Sequence, residues 1–155
     1  MTFREKILLT LLVLTLISIP LTMIEVDKKV DLYVDQVITL DGGTYDTEVN
    51  IIITKDIKKA LEFITEHVDY PVNAEDFDGA GITYTDEEGR IAIWLDGVED
   101  RGVISHELLH ATISIMSWAG IPLDENTEES YTYELQYLTN QFYNKIKWKS
   151  KKTNG

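Results

Sequence analysis

Apolar and polar positions alternate over residues 30–40, with Leu32, Val34, Ile38 and Leu40 on one face, and this period of two predicts a first strand. Asp41-Gly42-Gly43 is a turn signal, and Val49-Asn50-Ile51-Ile52-Ile53 reads as a second strand. The period then lengthens. Ile57, Ala60, Leu61, Ile64 and Val68 follow helical spacing behind Asp56, whose carboxylate suits it to accept from the unpaired N–H groups of a first turn. Residues 69–81, with Pro71, Asn73, Gly79 and Gly81, predict a loop. Its acidic stretch Glu75-Asp76-Phe77-Asp78-Gly79 brings glycine too early for an EF-hand and reads as turn chemistry. Residues 82–85 and 90–95 flank Asp86-Glu87-Glu88-Gly89 as a β-hairpin. A helix starting near Asp100 runs to about Trp118 and stops at Gly120, with Pro122 beyond it. A last helix runs from Asn126 or Thr127 to about Lys147. Strand, strand, helix, hairpin, helix, helix is the order of a small α+β domain with a short antiparallel or mixed sheet.

Ahead of this domain, residues 7–24 form an uncharged run of eighteen behind Arg4 and Lys6. As a helix the run is roughly 27 Å long, close to the hydrocarbon thickness of a bilayer, and it reads as a single membrane anchor. Pro20-Leu21-Thr22-Met23-Ile24 is a poor cleavage site for a signal peptide. A natural start at Met23 is the other alternative and implies a cytoplasmic domain. Lys28 and Lys29 balance Arg4 and Lys6, so orientation is not legible. The chain thus divides into an anchor segment at 1–29, one domain at 30–147 and a basic tail at 148–155. Lys145, Lys147, Lys149, Lys151 and Lys152 at that end suit a solvated helix terminus. A net charge of −13 over 155 residues argues against nucleic acid as a partner. There is no cysteine, so any metal must be held by nitrogen and oxygen.

His106-Glu107-Leu108-Leu109-His110 is an H-E-x-x-H pentapeptide on the predicted fifth element, and it uses two of the three histidines. Positions i and i+4 of a helix point the same way one turn apart, so both imidazoles can meet one Zn²⁺, with Glu107 beside it as a general base. A catalytic zinc takes three protein ligands and keeps one position open. His67, the remaining histidine, lies near the end of the first predicted helix, where dipole complementarity or exposure accounts for it. Carboxylates are the better source, and the last helix opens with Glu128-Glu129 after a short Gly-Ile-Pro turn. The plain alternative is helix capping: Asn126-x-x-Glu129 has capping-box spacing, and acids at a helix start suit the dipole. Tyr131, Leu135, Leu138 and Phe142 form the apolar stripe, with Glu128 near its edge and Glu129 on the face of Thr132, Tyr133 and Gln136. Spacing leaves Glu128 and Glu129 both open.

The pentapeptide followed by Glu129-x-x-Thr132-Tyr133-x-x-x-Tyr137-Leu138-x-x-Gln141 resembles the small metallopeptidase-like proteins of bacteriophages, which are themselves similar to the gluzincin branch of zinc peptidases. Phe77-Asp78-Gly79 and Ile91-Ala92-Ile93-Trp94-Leu95 add to the likeness, which spans roughly residues 49–146. It implies a zincin-like domain whose H-E-x-x-H helix packs on a C-terminal glutamate helix. It also implies Zn²⁺ on His106, His110 and Glu129, Glu107 as the base, and a peptide or protein substrate. Residues 90–95 are, by the same likeness, the edge strand that pairs with substrate. Tyr131 or Tyr133 is then a source of a second oxyanion donor, although tyrosines in a helical stripe are more often core. Gln136, at a usually small position, and Glu128, where histidine is common, depart from the pattern. Two other readings stay open: a catalytically silent zinc-binding module, and a membrane-tethered structural protein whose motif is coincidental.

Overall fold

The computed structural model describes residues 35–98 and 100–147. The hydrophobic run at 7–24, the front of the first predicted strand and the tail at 148–155 lie outside the described residues. Four strands and three α-helices follow in the order β1 (Gln36–Asp41), β2 (Glu48–Ile53), α1 (Ile57–His67), β3 (Gly81–Thr85), β4 (Ile91–Leu95), α2 (Arg101–Trp118) and α3 (Glu128–Lys145). The expected α+β class holds. The sheet is mixed, in the order β1-β2-β4-β3, with β2 and β4 parallel and the two outer pairs antiparallel. Among the described residues, no helix is long and apolar enough to cross a membrane.

Alternation along the strands divides the core into two layers. Ile51, Ile53, Ile91, Ile93 and Leu95 face α2 and α3, where they meet Ile104, Leu108, Ala111, Ile115, Leu138 and Phe142. Ile52, Ala92 and Trp94 face the other way, onto Ala60, Phe63 and Ile64 of α1 and onto Phe77. Both faces of β4 are therefore covered, which explains its unbroken apolar run. That topology corrects one expectation. The strand at 90–95 is interior, hydrogen-bonded to β2 on one side and β3 on the other, so it presents no edge to a substrate. The edge beside α2 belongs to β3.

Local chemistry sets the helix ends. Asp56 accepts from the backbone N–H groups of Lys58 and Lys59, and Asp100 accepts from those of Gly102 and Val103. Helix α2 stops in a Schellman arrangement: Ile121 N–H donates to Met116 O, Gly120 N–H donates to Ser117 O, and Gly120 takes φ +72°. The capping box expected from Asn126 and Glu129 does not form. Thr127 is the N-cap, and its hydroxyl turns back to accept from Asp124 N–H and donate to Pro122 O. Helix α3 lies along β1 and covers that edge. The Gln141 amide both donates to Asp41 O and accepts from Asp41 N–H, and Lys145 Nζ donates to Thr39 O.

On β3, every second residue faces α2. Gly81, Thr83 and Thr85 form this row, while Tyr84 is buried on the opposite face with Ile82 packed beside it. Gly81 is glycine for a steric reason. A Cβ there would lie 2.9 Å from Val103 Cγ1, 3.0 Å from Glu107 Cγ and 3.1 Å from Leu95 Cδ2. Gly81→Ala is therefore expected to lower stability by about 1–3 kcal/mol by overpacking, measured by urea unfolding. Gly79→Ala, where a Cβ meets only backbone atoms at 3.6 Å or more, serves as the tolerated control.

Candidate metal centre

The first turns of α2 carry the chemistry. His106 and His110 are solvent-exposed, and their Nε2 atoms converge to 3.0 Å with the rings edge to face at 79°. Two imidazole nitrogens sharing a tetrahedral zinc at 2.0–2.1 Å stand about 3.3–3.4 Å apart, so the pair fits one such ion with a small outward shift. An approach this short suits either a shared cation or one ring N–H donating to the other ring's lone pair. Glu107 points differently. It is 5% exposed, and its Oε2 accepts from the Thr83 hydroxyl at 2.7 Å. An open cleft of about 410 Å³ lies beside it, lined by Ala80, Gly81, Gly102, Val103, His106 and Glu107.

Helix geometry explains how the three groups share one side. At about 100° per residue, His110 and His106 lie about 60° and 100° around from Glu107, on the solvent side of the flank that meets β3. Ser114, which accepts from or donates to Thr85 at 2.8 Å, continues that flank. Helix α3 packs on the other side of α2, over β1 at the far edge of the sheet.

Glu129 and Glu128 therefore do not join the histidines. Both stand exposed in the first turn of α3. Helix α2 continues eight residues beyond His110, roughly 12 Å along its axis, before the chain turns back. The hairpin is held there by the Tyr131 hydroxyl, which donates to Ile121 O at 2.8 Å. Among the described residues, no three or more His, Cys, Asp or Glu side chains gather as a metal-binding group. The structure unites His106, Glu107 and His110 and leaves Glu129 apart. His67 is also apart: it belongs to α1 on the opposite face of the sheet, its Nδ1 is 2.8 Å from Phe63 O, and its ring stacks on Phe63. The two tyrosines considered as oxyanion donors lie on α3 as well. The hydroxyl of Tyr131 is engaged by Ile121, and Tyr133 is 63% exposed.

Two residues that sequence reasoning passed over matter here. Thr83 is the partner of Glu107, and its signal was the small-or-hydroxyl row Gly81-x-Thr83-x-Thr85 in an otherwise apolar hairpin. Glu134 is the other. It falls within the apolar stripe, three residues after Tyr131 and four before Leu138, and it is 7% exposed with Oε1 lacking any hydrogen-bond partner. Burial, and secondarily the nearby Asp41 carboxylate, push its pKa up to about 7.

Compared with known proteins, the chain matches no family model, and no curated protein or solved structure is significantly similar to it.

The raised pKa of Glu134 has a definite sign in stability. Between about pH 4.5 and 7 the unfolded chain ionises this carboxyl while the folded one keeps its proton, so stability falls as pH rises through that window. Burial is the larger cause and the smaller contribution of exposed Asp41 is screened by solvent, so the whole effect is on the order of 1–3 kcal/mol. Glu134→Gln is expected to remove this component of the pH dependence and to melt above the parent at pH 8, as measured by thermal unfolding at pH 5 and pH 8.

Proposed function

We propose that the domain is a zinc-dependent peptidase in which His106 and His110 hold the metal and Glu107 is the general base. The observation that carries this reading is the convergence of the two Nε2 atoms to 3.0 Å beside a carboxylate that lines the same cleft. When bound, a zinc ion supplies Lewis acidity toward a peptide carbonyl and makes water a competent nucleophile near pH 7. Glu107 takes the proton from the attacking water and returns it to the leaving amine. The edge of β3, unpaired among the described residues, offers backbone donors and acceptors to an extended peptide, which aligns the scissile bond along α2. Glu129 enters as third ligand from the resemblance to phage metallopeptidase-like proteins alone. In the same reading the hydrophobic run at 7–24 tethers the domain to a membrane.

One observation favours a second reading, a catalytically silent zinc-binding module. Glu107 is nearly buried and already hydrogen-bonded to Thr83, as a structural acid would be. Hydrolysis separates the two readings. Glu107→Gln is expected to keep one zinc per chain by elemental analysis and to lose at least about a hundredfold in cleavage of unfolded protein substrates. Equal activity in parent and variant removes Glu107 from the mechanism, and a parent without activity favours the silent module. His106→Ala and His110→Ala are each expected to lose zinc. The resemblance predicts that Glu129→Ala weakens zinc binding markedly while Glu128→Ala does not, whereas the separation of α3 from the histidines predicts no change in either. Unchanged binding in both confines the protein ligands, among these candidates, to the two histidines.

A further inference from the structure

Resting on the peptidase reading, we propose that Thr83 is a positioning residue for Glu107: its hydroxyl engages Oε2 and leaves Oε1 as the oxygen that accepts the proton. Thr83 Oγ1 lies 2.7 Å from Glu107 Oε2 and 3.2 Å from the backbone oxygen of the same residue. A threonine hydroxyl has one proton to give. The Glu107 carbonyl sits mid-helix, where the N–H four residues on is its regular partner, whereas the carboxylate makes the shorter, charge-assisted bond. The hydroxyl proton therefore points at Oε2, which accepts the bond.

The neighbouring contacts show why this bond does more than hold strand to helix. Thr85 bonds the Ser114 hydroxyl two residues along the same row, so docking between neutral hydroxyls is available to this interface and is used. At position 83 the strand hydroxyl instead meets the one carboxylate of the cleft. A glutamate has three rotatable bonds and samples several orientations when nothing holds it. Gly81 does not restrict that freedom but makes room for the side chain, since Glu107 Cγ passes 3.0 Å from where a Cβ would stand. Thr83 limits it at the tip. General-base catalysis depends on placing a lone pair within hydrogen-bond reach of the water, so an oriented carboxylate raises kcat without changing how peptide binds.

The test is Thr83→Val, which keeps the branched shape and removes the hydroxyl. We expect kcat to fall about ten- to a hundredfold with KM within about twofold of the parent and zinc stoichiometry unchanged. Thr83→Ser, which keeps the hydroxyl, restores kcat. In the protein without added metal, scalar couplings of the Glu107 side chain are expected to report one rotamer in the parent and in Thr83→Ser, and averaged rotamers in Thr83→Val. Thr83→Ala is read in the same way if the valine variant does not fold. Parent-like kcat, or a single unchanged Glu107 rotamer in the variants lacking the hydroxyl, overturns the proposal. Failure of the peptidase reading is seen separately, as parent and Glu107→Gln hydrolysing alike, and the rotamer measurement still decides the role of Thr83.

Discussion

Helix α2 can lie along the β3–β4 hairpin because a glycine stands at each place where the two come closest. At one end Gly81 admits Val103 and Glu107; at the other Gly89, with φ +78°, sits beneath the Trp118 ring, whose atoms would be 2.7–3.0 Å from a Cβ there. The hairpin between them is rigid for its own reasons. Burial by itself would raise the Asp86 pKa, but backbone N–H groups of Asp69, Arg90 and Glu88, together with the Arg90 side chain, hold this carboxyl below the usual carboxylate range. A charged, fully bonded aspartate at the turn fixes the strand register, and the register puts Thr83 opposite Glu107. The orientation of Glu107 in the cleft thus follows from a turn and two glycines, none of which touches the histidines.

The other side of α2 is held by a different kind of contact. There α3 packs through Tyr131, Leu138 and Phe142 and is strapped to β1 by Gln141 and Lys145, yet it also buries Glu134 with one oxygen unpaired. An unpaired carboxyl in such a place opposes the packing around it, and it does so less when protonated. The strong fastenings of α3 lie in its C-terminal half, and the opposing carboxyl lies nearer its start. Stability along this helix is therefore uneven, with the firmer end against the sheet edge.

Much of this architecture was legible in the order of residues because local rules and tertiary packing agree. Asp56 and Asp100 cap where their positions ahead of an apolar helical pattern predict, Gly120 ends α2, and the four-residue turn at 86–89 joins two strands. The convergence of His106 and His110 was equally legible, since i and i+4 fix a direction on any helix. Three features were not. Strand order is a long-range property, so the apolar run at 91–95 gave no sign of whether it lay inside the sheet or at its edge, although burial on both faces is what such a run favours. Thr127 took the cap from Asn126 because its hydroxyl could satisfy the loop at Pro122 and Asp124, a contact that depends on loop shape. The row Gly81-x-Thr83-x-Thr85 marked a close approach, but the partner of Thr83 lies twenty-four positions away on another element.

The placement of Glu129 shows where motif order and geometry part. An H-E-x-x-H helix followed by a glutamate helix satisfies the linear pattern of a three-ligand site, but a helix offers its ligands in one direction only. Here that direction is toward the β3 flank and the cleft beside it. The chain leaves α2 at Gly120, and α3 returns over β1, on the opposite flank. What decides this is the turn at 119–127: the Schellman ending and the bond from Tyr131 to Ile121 set where α3 begins and how far it starts from His110. Two more turns of helix beyond the second histidine are enough to carry an apparently well-spaced carboxylate away from the paired imidazoles. In a domain of this kind the length of helix after the motif is as informative as the identity of the acid that follows it.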